Sequence, residues 1–281
     1  MVIIRSLKWK SRCDVRIAAH EMASRAWDNG MMRTLSKRLV VVGLLLGWTP
    51  IAWATPDDVV EKYLTAIGGR EALGKLKSRS MIGTITLSTP GGDVSGSVEI
   101  LNQAPNKTRT LMKVDLSAFG AGVMTLDQRF DGKSGYVLDT LQGDRDVTGN
   151  QLENMKNGAF PSPFLNYKEV GATLELSGKE KVGEREAYLL IFKPRSGSVA
   201  RQYIDAESYL PIKLVVKVDV PQFGELEQTT EFLDYRDVDG VKVPFQVKAT
   251  SAVQQYTIVI TKVEHNVQID EALFSKPAAG R

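Results

Sequence analysis

From Ser80 onward the sequence predicts a mainly β protein (α+β). The expected fold is a single antiparallel sheet curved into an incomplete barrel of about 11–12 strands. An N-terminal helix and a short inserted helix/loop are expected to cover its concave apolar face. Three observations carry this. Runs of about seven to eleven residues rich in Val, Ile, Thr, Leu and Tyr are separated by Gly, Pro, Asp and Asn. The connections Pro90-Gly91-Gly92-Asp93, Asp131-Gly132, Gly183-Glu184 and Asp239-Gly240 are short hairpin turns, and the dozen-residue crossovers that parallel strands need are absent. Finally, several runs alternate: Met112, Val114 and Leu116 are apolar between Lys113 and Asp115, and Ile212, Leu214, Val216 and Val218 face away from Lys213 and Lys217. One face of such a sheet is dry.

The first 54 residues are a different polymer from the rest. They hold nine Lys/Arg against three acids, whereas the remaining chain holds 27 against 30, so the overall charge of +3 does not describe a nucleic-acid-binding domain. All four Trp and the one Cys, Cys13, also lie there. Arg33, Lys37 and Arg38 precede the ten-residue apolar run Leu39 to Trp48. Thr49-Pro50 then break the helix, and Ala52 and Ala54 flank Trp53. This pattern predicts a signal peptide over residues 31–54, cut after Ala54, and a periplasmic product. Residues 1–30 have mixed charge and no period. They read as a doubtful extension ahead of Met31-Met32, either a start assigned too early or an unstructured tail.

Residues 55–281 are expected to form one domain. Asp57-Asp58 can cap a helix whose apolar positions Val59, Val60, Tyr63, Leu64 and Ile67 recur at three- and four-residue spacing, with Gly68-Gly69 as its stop. Glu71 to Leu76 can add a further turn. Five runs follow: Met81 to Ser88, Val94 to Asn102, Thr108 to Leu116, Val123 to Phe130 and Gly135 to Thr140. Seven more come after an interruption, beginning at Thr173, Arg185, Ala200, Pro211, Leu226, Val243 and Gln254. The interruption, Leu141 to Tyr167, contains a short helix through Leu152 and Met155, capped by Thr148 or Asn150. The proline-rich string Ala159 to Leu165 follows it. It is either a cover over the open face of the sheet or an ordinary loop plugging a core.

Composition removes most chemistry. After Ala54 there is no Cys and no Trp, and His265 is the only imidazole. A zinc site of the usual kind has too few ligands. There is no G-x-S-x-G elbow, and Gly132-Lys133-Ser134-Gly135 reads as a turn. Asp237-Val238-Asp239-Gly240 has Tyr235 where a calcium loop needs its first aspartate, so it too reads as a turn. No Walker loop or dinucleotide fingerprint is present. His265 is expected to be solvated or hydrogen bonded. The expectation is a binding protein with no catalytic residue, metal or cofactor; a carboxylate-based enzyme is the weaker alternative. The even-numbered faces nominate Met112, Val114, Leu116, Met124, Leu126 and Phe130 as ligand contacts, with Phe160 and Phe164 closing over them. A packed core uses the same residue pattern.

Several strings resemble the LolA/LolB-like superfamily of outer-membrane lipoprotein-sorting proteins. They are VEKYLTAIGGREALGKLKSRSMIGTI from Val60, RFDGKSGYVLD from Arg129, GEREAYLLIF from Gly183, RQYIDAESYLPIKL from Arg201, FLDYRDVDGVKVPF from Phe232 and VEHNVQIDEALFSKP from Val263. Their order along nearly the whole of residues 55–281 makes the resemblance. It implies an incomplete barrel of about eleven strands with helices over its concave face. It also implies an apolar cavity for lipid or acyl chains, no catalysis, and an envelope membrane-protein partner or a sensing role as the alternative to ligand carriage.

Overall fold

The computed structural model describes residues 54–220 and 223–277. The signal-peptide reading, apart from Ala54, and the extension ahead of it fall outside the described residues. The described residues open with α1 (Pro56–Ala66) and α2 (Gly69–Lys75). The cap of α1 is Thr55 rather than Asp57 or Asp58. The Thr55 hydroxyl accepts from the Asp58 backbone N–H at 3.2 Å, and the Asp58 carboxylate accepts from the Thr55 N–H at 2.9 Å. With Pro56 in the first turn, this reciprocal box satisfies two otherwise orphaned donors.

Thirteen strands follow: β1 (Ser78–Thr89), β2 (Gly92–Gln103), β3 (Lys107–Asp115), β4 (Val123–Phe130), β5 (Gly135–Asp139) and β6 (Arg145–Val147). After α3 (Gly149–Asn157) come β7 (Thr173–Val182), β8 (Arg185–Lys193), β9 (Ala200–Asp205), β10 (Pro211–Val220), β11 (Gly224–Val238), β12 (Val241–Thr250) and β13 (Gln255–His265). All join one antiparallel sheet in the order β6-β5-β4-β3-β2-β1-β13-β12-β11-β10-β9-β8-β7. The pairing of β1 with β13 brings the two ends of the domain together in mid-sheet, while β6 and β7 remain unpaired edges, so the barrel is open. Each of the twelve runs read from the sequence is a strand. The thirteenth, β6, is three residues long, with two charged residues ahead of the buried Val147.

The sheet curls because two inward positions carry no side chain. A Cβ at Gly83 would lie 2.2 Å from the Val259 carbonyl oxygen, and one at Gly96 would lie 2.0 Å from that of Lys113. Backbones approach there as no other residue allows. Inside the curl, Val59, Val60, Tyr63 and Leu64 of α1 and Leu73 of α2 pack against Val98, Leu190, Ile204, Val243 and Ile260. The α1–α2 junction is fixed to the β11–β12 turn, where Lys242 N–H donates to the Ile67 carbonyl at 3.0 Å.

On the outer face the chain's last segment lies across β2 to β6. Gln103 and Lys107 both bond the Glu271 carboxylate, Arg129 donates to the Ser275 carbonyl at 3.1 Å, and Lys276 pairs with Asp146 at 2.9 Å. Phe274 is buried. Near this strap lies a buried charge cluster. Asp127 accepts two bonds of 2.8 Å from Arg109, and from Arg129 at 2.7 and 3.1 Å. Burial pushes the Asp127 carboxyl up, but the two guanidinium partners outweigh it and hold the carboxyl below its usual range.

Candidate functional site

Helices fill only one end of the curl. Towards the other end α3 crosses over the sheet and borders an open cavity of about 530 Å³. That lies within the roughly 300–1,000 Å³ of small-ligand sites. Its apolar floor comes from inward positions of the sheet: Ile85 and Leu87 of β1, Met112 of β3, Met124 and Leu126 of β4. Val218 and Val220 of β10 and Tyr256 of β13 form the facing wall, and Met155 with Gln151 and Asn154 comes from α3. The register explains this assembly. Met112 is opposite Leu126 and Val98, Val114 is opposite Met124 and Gly96, and directly opposed residues share a face.

Polar groups stand at defined places on this lining. Gln128, Gln228 and Gln254 occupy positions that would otherwise continue the apolar stripe. Asp139 accepts from the backbone of Leu141 and Gln142 at 2.9 and 3.0 Å and pairs with Arg145 at 3.4 Å. Burial raises the Tyr256 phenol above its ordinary value, so it stays a neutral donor.

The cover is held unequally on its two sides. Met155 inserts into a small apolar cluster with Phe130, Val137 and Val147, against which Leu126 packs. The opposite side of α3 is polar. Asn154 bonds Ser198 and the Lys217 carbonyl and accepts from the Ser198 N–H at 2.8 Å, Asn157 donates to the Ser196 carbonyl at 2.8 Å, and Asn150 reaches Glu225. One apolar pin and a row of side-chain amides thus strap the helix between β4–β6 on one side and the β8–β9 turn, β10 and β11 on the other. Each amide bond contributes about 1 kcal/mol net, because water replaces it when it opens.

Of the residues nominated from the sequence, Met112, Met124 and Leu126 meet in this cavity. Val114 is fully buried in the main core, and Leu116 packs at its margin. Phe130, 0% exposed, lies in the cluster under α3. Phe160 and Phe164 belong to the main core at the helical end, where Phe164 meets Tyr63 and Phe192 edge-on at 5.3 and 5.9 Å. Phe164→Ala is therefore expected to lower stability by about 3–5 kcal/mol in denaturant unfolding, while acyl-probe binding by the folded protein is retained. Cavity residues missed by the sequence reading include Ile85, Leu87, Leu141, Met155, Val218, Val220, Tyr256 and the glutamines Gln128, Gln228 and Gln254. The glutamines carried a legible signal, since an inward polar residue in an apolar alternation marks a wetted part of the face.

A second concavity of about 490 Å³ lies where α2 meets the β11–β12 turn, lined by Glu71, Lys75, Asp239 and His265 among others. His265 was expected to be solvated or hydrogen bonded. Its side chain is only 2% exposed, and Nδ1 lies 3.3 Å from Asp239 without hydrogen-bond alignment. Burial first, then Arg79, hold its pKa below the ordinary value, so the imidazole is neutral. Arg79, its cross-strand neighbour, stacks over Phe160 at 5.2 Å and is lowered to about 10 by burial. Among the described residues no cluster of three or more His, Cys, Asp or Glu is placed to hold a metal ion. The same residues contain no helix long and apolar enough to cross a membrane.

No family model matches the chain, and no curated protein sequence does. Solved structures do match. A LolA superfamily protein from Nitrosomonas europaea superposes with a TM-score of 0.52 at 12% identity, over 80% of this chain and 99% of that one. A DUF1329 family protein from Desulfovibrio piger gives 0.51 at 11% identity, over 79% and 98%. At such identity what is shared is the backbone architecture, and the open, helix-lined antiparallel sheet of this chain is the LolA-like fold.

Proposed function

We propose that the protein is an exported carrier that binds one apolar ligand of the acyl-chain class in the cavity beneath α3. The observation that supports this most is the unfilled end of the curl. The main core plugs one half of the concave face, while Met112, Met124, Leu126, Val218 and Tyr256 line free space in the other. At about 0.8 kcal/mol per buried methylene, a chain of roughly ten carbons gains several kcal/mol after ordering costs. The glutamines and the Asp139–Arg145 pair suit the polar end of such a ligand. The amide-strapped α3 is the element whose opening admits it, because its contacts to the β8–β9 turn, β10 and β11 exchange readily with water. No residue of the cavity is assigned a catalytic role.

Export rests on residues 31–54, and N-terminal sequencing of the secreted protein is expected to begin at Thr55; recovery of Cys13 in the product contradicts cleavage. Solvent extraction of protein purified from the envelope, followed by lipid mass spectrometry, tests the ligand class. The expected result is an acyl lipid at near one per protein. Protein that carries none and also fails to bind a fluorescent fatty acid contradicts the proposal.

A further inference from the structure

We infer that the ligand of the cavity beneath α3 carries an uncharged head with hydroxyl or amide groups, and that an acyl chain ending in a carboxylate is a poorer ligand. The inference rests on the acyl-ligand reading and narrows it. A chain gains affinity in any apolar space, whereas the polar groups on the lining decide which head that space accepts.

Charge is the first observation. The lining holds three charged side chains, Asp139, Arg145 and Asp219. The Arg145 guanidinium donates to the Asp139 carboxylate and to the Gly143 carbonyl, both at 3.4 Å. Asp139 also takes the N–H groups of Leu141 and Gln142, so its side chain, 9% exposed, finds its partners within its own turn. Asp219 stands exposed near the end of β10, opposite Glu225. Arg145 therefore answers Asp139, and the charge left over on the lining is negative. An anionic head meets no free cation here and faces two carboxylates, and burying a charge unpaired is penalised. A cationic head finds Asp219 only at the solvent edge, where an ion pair adds little.

The second observation is the kind of polar group that stands in place of charge. Gln128 interrupts the inward stripe of β4 between Leu126 and Phe130, opposite Thr110 of β3. Gln228 of β11 lies on the facing wall beside the Tyr256 phenol. Of the glutamine side chains on this lining, only that of Gln228 finds partners among the described residues, the Thr230 hydroxyl at 3.5 Å and Tyr256. Asn154, by contrast, is already committed to Ser198 and the Lys217 carbonyl. Hydrocarbon laid over Gln128 strips water from its amide and returns no hydrogen bond, so a chain alone is a mismatched occupant. A side-chain amide both donates and accepts, whereas a carboxylate only accepts. The complement of these glutamines is a hydroxyl or another amide. A site built to bond such a group discriminates against the analogue that lacks it, because its own polar groups are then left unpaired.

The test measures displacement of a fluorescent fatty acid from the full chain by ligands of one chain length: monodecanoylglycerol, decanoyl ethanolamide, methyl decanoate and decanoate. The glyceride and the ethanolamide are expected to displace the probe at about tenfold lower concentration than methyl decanoate or decanoate at neutral pH. Methyl decanoate passes from water to hydrocarbon more readily than the glyceride, so hydrophobicity alone gives the opposite order. Gln128→Leu and Gln228→Leu put an apolar side chain of similar size on a half-buried position, and denaturant unfolding checks that both variants fold. Each is expected to weaken binding of the glyceride and tighten that of methyl decanoate, so that the tenfold preference disappears.

Methyl decanoate or decanoate that displaces the probe as well as the glyceride overturns the inference, as does a glyceride preference that survives both Gln128→Leu and Gln228→Leu. Decanoate that binds tightest and loses that rank in Arg145→Gln marks Arg145 as the partner of an anionic head, and overturns it too. The two readings fail differently. A probe that does not bind, with no competition from any of these ligands, rejects the acyl cavity itself, whereas a bound probe displaced in the wrong order rejects the uncharged head alone.

Discussion

Met124→Asp is expected to abolish displacement of a fluorescent fatty acid, weakening apparent affinity at least about a hundredfold, while the protein still unfolds cooperatively. Met124 is half-buried and faces the cavity beside Leu126 and Met112. A carboxylate there meets water when the cavity is empty and an acyl chain when it is filled. The cost falls on the bound state: desolvating a charge against hydrocarbon costs several kcal/mol, and about 1.4 kcal/mol is a factor of ten in affinity. The same charge at Val114, opposite Met124 in the register but fully buried, has no cavity to open into and is expected to prevent folding. Probe displacement and chemical denaturation on both variants separate binding from packing. Unchanged affinity in folded Met124→Asp places the ligand elsewhere.

Asp127→Ala is expected to cost about 3 kcal/mol, the largest effect of any polar substitution in the domain, because it removes the carboxylate shared by two largely buried guanidinium groups. The Arg109 and Arg129 side chains are 10% and 13% exposed and both bond this carboxylate, with Glu99 at 3.5 Å left as a second ion-pair partner for Arg109. Arg129 also holds the strap through the Ser275 carbonyl, so loss of Asp127 should loosen residues 271–276 as well. The pH dependence follows from the sign of the shift. Asp127 is held below its unfolded value of roughly 3.9, so its contribution is complete above that value and disappears as pH falls through the lower folded value. Wild type should therefore lose stability below about pH 4 more steeply than Asp127→Ala. Denaturant titrations across that range check it, and parallel curves for the two proteins contradict the assignment.

The strands were legible because their apolar alternation and glycine turns are local properties. Twelve runs could be placed from the chain alone, whereas β6 could not: Asp144-Arg145-Asp146 reads as a solvated loop, and only pairing with Gly135 to Val137 makes it a strand. The inserted helix was also legible, but the sequence offers both Thr148 and Asn150 as its cap; the N-cap is Thr148, although no side-chain bond forms there. Which apolar residues line free space was not legible. Val114 and Met124 face each other on adjacent strands with the same pattern, yet one is fully buried in the main core and the other lines a cavity. That difference is set by where α1 and the Phe160–Tyr167 string end, which is a tertiary fact. The proline-rich string has no period, so nothing local says that Phe164 rests between Tyr63 and Phe192. His265 and Arg79 were hidden for a related reason: their burial comes from α2 and Phe160, far away in sequence.

The most direct measurement is photolabelling with a fatty acid that carries a diazirine near its methyl end, followed by peptide mass spectrometry. The predicted result is label on Met112, Met124, Leu126 or Met155, competed by unlabelled fatty acid and reduced in Met124→Asp. Competable label confined to the concavity at His265 or to the outer face, with none on these four residues, contradicts the assignment of the cavity beneath α3 as the ligand site.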